Sequence, residues 1–505
     1  MQNLAEKYHA GQFRKGKEQL PYIVHPQAVV NTLLAWGENR NSDAVLTAWG
    51  HDLLEDTSVS EQEILAVSDK NVLDNIKMLT KPENMAKNLY MQNVAECGKR
   101  DVLTVKAADR LCNTKDFISL KGHLYAFRYL HSADCLLPAL EKFRNDPVIG
   151  NALNDWKKLD DTLRTKARQD AIRGCLLGGA VGDALGSPVE FLSLSSIKWT
   201  YGDTVKDYVE FDDNTGAITD DTQMTLFTAE GLLRAITRGE QKGICDGVKV
   251  VANAYARWLK TQGITANVPE NVLTEGWLIK EKALYQCRAP GNTCLSALEA
   301  GNIPAKNSSK GCGTVMRMAP VGLLFSPEEA YKIGCDLSAI THGHPTGITS
   351  GGAFAMLIAL LCNGKSLKES LDTVKKHLQK FPEAAETLQM IKYAECAGDI
   401  TELGEGWVAE EALAISIFCA LRHEWDFTAG VLEAINITGD SDSTGAITGN
   451  ILGILNGENA IAGKWRKNLR EYAIVSRMAE DLHIRKETDE NGCITENWWK
   501  KYPGY

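Results

Sequence analysis

Asp440 and Asp442 stand one residue apart in NITGDSDSTGAITGNILGILNG, residues 436–457, with Ser443 beside them. Earlier, GAITDDTQMTLFTAEGLL sets Thr219, Asp220, Asp221 and Thr222 ahead of an apolar helical run. Alone, that second stretch reads as a helix N-cap with acidic residues well placed in the first turn. Together the two stretches offer carboxylates and hydroxyls, the all-oxygen chemistry preferred by Mg²⁺ or Mn²⁺, and two clusters suggest two cations. A third group, near the N-terminus, has different chemistry. His51 and Asp52 are adjacent, and Glu55 follows His51 by four residues on the same helical face. Added to His25 and Asp109, the pair makes two imidazoles and two carboxylates, a mixed nitrogen and oxygen set suited to Mn²⁺, Fe²⁺ or Zn²⁺.

Such groups need rigid elements to hold them. Gly445, Gly449, Gly453 and Gly457 follow the Asp440/Asp442 pair at every fourth position. The same spacing recurs at Gly174, Gly178, Gly182 and Gly186 in IRGCLLGGAVGDALGSPVEF, where Asp183 lies beside the stripe. Each helical glycine costs roughly 1 kcal/mol relative to alanine. Two helices that pack stripe on stripe offset that loss and carry their acidic ends into one site. A membrane dimer uses similar spacing, but Asp183 and Asn450 interrupt these segments and neither is long enough to span a bilayer.

Helical periodicity dominates the rest, in segments such as TLFTAEGLLRAI, GGAFAMLIALL and EEALAISIFCAL, and convincing alternating strands are almost missing, so the expected fold class is all-α. The 505 residues exceed one ordinary core. A charged stretch, NDWKKLDDTLRTKARQD, reads as a connecting helix and puts a boundary near residue 165. The expected division is a domain at 1–165, a larger one at 166–480 and an irregular tail at 481–505, docked through Trp498 and Trp499. Net charge of −10 argues against non-specific nucleic-acid binding and attraction to anionic lipid. With no signal-type start and no run of eighteen apolar residues, the expected location is cytoplasmic, without a membrane partner. Thirteen cysteines without a C-x-x-C pair fit free thiols, and Cys312 reads as a packed small residue.

In the order GDALGSPVE, TDDTQMT, GCGTVMRMAPVGLLF, ITHGHPTG and GDSDSTGAITGNILG, residues 170–475 resemble the ADP-ribosylglycohydrolase family. The resemblance implies a helical domain with two Mg²⁺ (or Mn²⁺) binding the ribose hydroxyls beside the scissile bond. It implies Thr219, Asp220 and Asp221 on one side and Asp440, Asp442 and Ser443 on the other as metal ligands. Glu190 matches the glutamate at the reaction centre, where a carboxylate must handle the proton of an oxocarbenium-like step. Asp183 is expected to orient a ligand from behind. His342, His344 and the loop glycines Gly311 and Gly313 are expected along the ADP-ribose pocket. The implied substrate is an ADP-ribosylated protein or small molecule, with the acceptor left open between arginine, serine, another amino acid and a nucleic-acid base.

The segments HAGQFRKGKEQLPYIVHPQAV, AWGHDLLEDT and VKAADRLCNT resemble the HD phosphohydrolases, and among them those that remove the 3′-pyrophosphate of ppGpp. This implies one Mn²⁺, or another divalent transition metal, at His25, His51, Asp52 and Asp109, with Glu55 and Asp56 arranging the attacking water. Arg14, Lys15 and Asn113 are then expected on a guanosine polyphosphate or related nucleotide, although Cys112 replaces the usual histidine. The whole chain reads as a bifunctional hydrolase. The alternative is an immunity-type binding protein in which one domain is catalytically silent.

Overall fold

The computed structural model describes residues 1–14, 19–210, 215–491 and 496–504. Among these residues the structure is helical throughout, and β-pairing is limited to the isolated bridges Phe13↔Pro21 and Gly311↔Val408. The chain divides into two compact units, Met1–Ala167 and Arg168–Tyr505. The division falls inside one 40-residue helix, which also contains the charged stretch expected to form a helical connection.

In the N-terminal unit four helices carry the chemistry: α1 (Val24–Ala35), α2 (Asp43–Gly50), α3 (Leu53–Asp56) and α4 (Arg100–Lys121). The start of α2 is fixed by Ser42, whose hydroxyl accepts from the Val45 N–H at 3.3 Å. Leu33 of α1, Trp36 at its C-cap, Val45 of α2 and Leu103 and Leu111 of α4 share one core, to which the start of the long helix α5 (Pro147–Gly186) adds Ile149 and Trp156. Each such side chain contributes about 2 kcal/mol on burial. Because the 102–112 stretch of α4 is almost entirely inside, Asp109 is carried to the interior with it.

In the C-terminal unit α6 (Asp220–Lys242) packs on α7 (Gly247–Thr261), and α8 (Pro345–Cys362) lies against Pro327–Ser338. The helices α9 (Ala409–Arg422) and α10 (Phe427–Ile435) both pack on α11 (Ser441–Asn456). By length and composition α8 could cross a membrane, but 83% of it is buried, so its apolar surface is already covered by protein.

The glycine stripes meet as antiparallel partners. A Cβ on Gly174 of α5 would lie 2.3 Å from the Gly453 carbonyl oxygen of α11, one on Gly178 2.3 Å from that of Gly449, and one on Gly182 2.0 Å from that of Gly445. Only bare backbone fits such spacing, and the register sets Gly186 against Ser441, beside the acidic end of α11.

Among the described residues, most of the expected irregular tail is helical, over 481–491 and 496–501. Helix α12 (Tyr472–Asn491) buries Val475, Met478, Ala479 and Leu482, an i, i+3, i+4, i+7 stripe that the later charged residues obscure in the sequence. In α13 (Glu496–Lys501) Trp498 is buried, whereas Trp499 is 42% exposed. The buried Tyr502 completes the docking, its hydroxyl donating to Asp481 at 2.5 Å and accepting from the Trp277 indole at 3.0 Å.

Candidate active sites and metal centres

The first acidic cluster grows from the start of α6. Thr219 is the N-cap, in extended conformation, and its hydroxyl accepts from the Asp221 N–H at 3.3 Å. Behind it Asp183, fully buried on α5, accepts from the Thr219 and Thr222 backbone N–H groups and from both hydroxyls, at 2.8 Å and 2.5 Å. Asp183 therefore fixes the helix start. Burial, and then the charge of Asp442, pushes its carboxyl up to about 7.

The second cluster caps α11, where Asp440 accepts from the Ser443 N–H at 3.2 Å and Asp442 from the same N–H at 2.9 Å. Glu190 lies just past the end of α5, and one carboxylate oxygen each from Glu190, Asp440 and Asp442 fall within 4.8 Å of one another. Burial first, then Asp442, Asp440 and Asp220, pushes the Glu190 carboxyl up to about 11. The same causes, burial and then Asp442, push Asp220, Asp221 and Asp440 well above the usual carboxylate range.

Both clusters open on one cleft of about 280 Å³, lined by Glu190, Asp220, Asp221, Asp440, Asp442 and Ser443. Gly311, Gly313 and His342 line it too, as does the stacked pair Phe191 and Trp407, whose ring centres are 5.2 Å apart. No lysine or arginine appears in its lining among the described residues. The Asp221 Oδ1 atom is buried without a hydrogen-bond partner. An all-oxygen donor set of concentrated negative charge with an orphaned carboxylate oxygen fits a divalent cation.

Some expected roles shift. The Thr219 hydroxyl is turned to Asp183, and Thr219 lines a neighbouring cleft of about 220 Å³ instead. His344 caps α8, its Nδ1 accepting from the Thr346 N–H at 3.2 Å, and it is not in the lining of the acidic cleft. His342 is buried under the loop, and burial together with Arg317 holds it down to about 3, so it stays neutral. A Cβ on Gly311 or Gly313 would meet the His342 ring at 3.3 Å or 3.2 Å, which explains the glycines. Cys312 is no mere packing residue. It lines the cleft, and its thiol donates to Asp440 Oδ2 at 2.8 Å.

In the N-terminal unit, the His25 and His51 Nε2 atoms are 3.3 Å apart. Asp52 lies 3.7 Å and 3.1 Å from them, and Asp109 lies 3.2 Å and 3.9 Å. The other His51 nitrogen, Nδ1, bonds the Ala48 carbonyl at 2.7 Å, which leaves Nε2 for a ligand and makes the set fit a cation. Burial alone would lower His51, but the charge of Asp52 prevails and raises it to about 9. The sequence offered no reason to single out Lys106, although its amino group lies one helical turn from Asp109 and 3.0 Å from its carboxylate. Tyr22 was missed as well. Its hydroxyl lies 2.8 Å from both Asp52 and Asp56.

Glu55 is exposed, and its Oε2 accepts from the Lys81 N–H at 2.9 Å. The Arg14 guanidinium is already engaged by Asn113 at 2.9 Å and Asp116 at 2.5 Å. Asn113 in turn donates to Asp109 at 2.5 Å, which makes it a link in the site rather than a free substrate contact. Lys15 lies outside the described residues.

Carboxylates from two helix starts, gathered over one cleft in a helical frame, make a candidate divalent-cation centre. A family model described as ADP-ribosylglycohydrolase matches residues 164–492, and the chain belongs to the ADP-ribosylglycohydrolase family, whose members generally depend on divalent cations. The chain is 25% identical over 356 residues to ADP-ribosylarginine hydrolase Tri1 of Serratia proteamaculans, covering 67% of this chain and 87% of that one. It is 23% identical over 336 residues to ADP-ribosyl-[dinitrogen reductase] glycohydrolase of Rhodospirillum rubrum, covering 63% and 95%. A different part of its length is matched by guanosine-3′,5′-bis(diphosphate) 3′-pyrophosphohydrolase MESH1 of Xenopus tropicalis, 32% identical over 118 residues, covering 23% of this chain and 65% of that one.

Proposed function

We propose that the C-terminal unit hydrolyses the glycosidic bond between ADP-ribose and a modified protein or small molecule. The supporting observation is the convergence of Glu190, Asp440 and Asp442 within 4.8 Å, in a cleft that Asp220 and Asp221 also line. Asp220, Asp221, Asp440, Asp442 and Ser443, with Thr219 at the edge, would hold Mg²⁺ or Mn²⁺, which when bound supplies positive charge for the ribose hydroxyls. Glu190 carries the proton at its carboxyl, giving it to the departing group or taking it from the attacking water. Asp183 keeps the start of α6 in register through four hydrogen-bond donors, and His342 supports the glycine loop from below as a neutral ring.

The N-terminal unit is assigned by the same reasoning to a pyrophosphohydrolase acting on a guanosine polyphosphate or related nucleotide. His25, His51, Asp52 and Asp109 would hold Mn²⁺ or a similar ion there. Lys106 keeps Asp109 ionised, because its charge overcomes the burial that opposes it. Assembled donors in both units favour catalysis over a silent binder.

The test is to give the full chain ADP-ribosylated peptides and ppGpp, with Mg²⁺ or Mn²⁺ and with chelator, and to separate products. Asp442→Asn should abolish ADP-ribose release while leaving pyrophosphate release and the circular dichroism spectrum unchanged, and His51→Ala should do the converse. Undiminished ADP-ribose release from Asp442→Asn would refute the first assignment.

A further inference from the structure

Most donors in the acidic cleft are hard oxygens, and Cys312 sets a sulfur beside them. The chain draws its sulfur in deliberately. The Cys312 N–H donates to the Trp407 carbonyl at 3.1 Å, and the neighbouring Gly311 pairs with Val408, so the loop is pinned on both sides of the turn. Flanking glycines let that loop lie directly on His342 and Cys294. The thiol consequently points at Asp440. A second observation concerns Asp221, which is 3% exposed and whose Oδ1 has no hydrogen-bond partner. Asp221 lines the same cleft as Cys312.

We infer that Cys312 is a sulfur donor to the divalent-cation centre and tunes its metal preference, giving thiophilic cations such as Cd²⁺ and Zn²⁺ an advantage that carboxylates alone would not provide. The inference rests on the reading of the cleft as a cation site. Softness supplies the reason, since thiolate selects Zn²⁺-like ions whereas carboxylate and hydroxyl suit Mg²⁺ and Mn²⁺. The binding step balances simply. The thiol S–H bond breaks, its proton leaves to solvent, and one sulfur–metal bond forms, with no change of oxidation state. Asp440 then loses its thiol donor and turns that oxygen to the cation. A consequence is that trace thiophilic metal competes with Mg²⁺ for the centre.

Cd²⁺ alone is the probe, added to the full chain after chelator treatment and without substrate. The ultraviolet sulfur-to-cadmium charge-transfer band and calorimetric affinities for Cd²⁺ and Mg²⁺ are measured. Wild-type protein should show a band that saturating Mg²⁺ extinguishes. Cys312→Ser should lose that Mg²⁺-sensitive band and bind Cd²⁺ about tenfold or more weakly, with Mg²⁺ affinity little changed. Cys294→Ser, which removes the other cysteine lining the cleft, should retain the band. Persistence of the Mg²⁺-sensitive band in Cys312→Ser overturns the inference. So does a wild-type band indifferent to saturating Mg²⁺, a measurement that needs no variant to fold. Mg²⁺ binding without a band sinks the sulfur ligand alone, whereas failure to bind either cation sinks the metal-centre reading beneath it.

Discussion

Gly182 immediately precedes Asp183 and faces Gly445 across the C-terminal unit's glycine stripe. In Gly182→Ala the new methyl would sit 2.0 Å from the Gly445 carbonyl oxygen and 2.4 Å from its carbon. To reach the 3.4 Å where ordinary contact begins, the two backbones must part by about 1.4 Å. Neither neighbour is a side chain that could rotate away. Overpacking of this kind costs about 3 kcal/mol, against about 1 kcal/mol that alanine contributes through helix propensity, so a net loss near 2 kcal/mol is expected. The displacement also moves the Asp440/Asp442 end of α11 relative to Glu190, and a misplacement of about 1 Å at a reacting centre lowers turnover about 100-fold. Gly174→Ala makes a similar violation, 2.3 Å from the Gly453 oxygen, but two helical turns farther from the acids. Urea denaturation and ADP-ribose release should then separate the pair: comparable destabilisation, with the deep loss of turnover confined to Gly182→Ala. Equal turnover in both variants, or wild-type stability in either, would refute the idea that the stripe positions the acids.

Two further predictions concern protons. His51 is raised to about 9, so in chelated protein its stabilisation is complete below the ordinary imidazole value of 6.5 and disappears as pH climbs through about 9. Because a cation must displace that proton, Mn²⁺ affinity at this set should rise about tenfold per pH unit up to about pH 9; calorimetry giving a flat profile from pH 7 to 9 would contradict the assignment. In the acidic cleft the sign is reversed in origin but not in direction. Asp183 is raised from 3.8 to about 7, so the folded state holds protons that the unfolded chain has released, and metal-free stability should fall as pH rises from about 4 to about 7. Mg²⁺ should remove that slope, and thermal melts in which Mg²⁺ stabilises equally at pH 5 and pH 8 would argue against cation binding there.

The sequence made the glycine contact legible because a period of four has one economical explanation on a helix, and the acid pairs were legible because each follows a helix start. What escaped depends on neighbours distant in the chain. Cys312 meets Asp440 only through the pairing of its loop with Trp407 and Val408, and nothing local distinguishes it from a small residue between glycines. His344 looked equivalent to His342, yet the proline after it makes it an N-cap and fixes its ring on the α8 backbone. Arg14 looked like a free cation, and its partners Asn113 and Asp116 come from α4, far along the chain. Tail residues 481–488 looked solvated because most of them are charged or polar, yet Asp481, His483 and Arg485 are buried along with Leu482, so the buried side of α12 continues into them.

The two helix starts explain why the acids are held still and why they remain under tension. Asp183 and Asp440 use part of their hydrogen-bonding capacity on backbone N–H groups, which locks the first turns of α6 and α11 and fixes the carboxylates in place. A helix N-terminus favours negative charge by only about 1 kcal/mol, and its influence fades within a turn. Against that stand burial and mutual repulsion strong enough to push Asp183 to about 7 and Glu190 to about 11. Backbone dipoles therefore cannot keep this group ionised by themselves. Either protons or a cation must occupy the space among the carboxylates. A cation at the proposed centre would leave the Asp440 carboxylate free of protons, and the glycine stripe, by seating α5 on α11, holds Asp183 and with it the start of α6 beside the acidic start of α11.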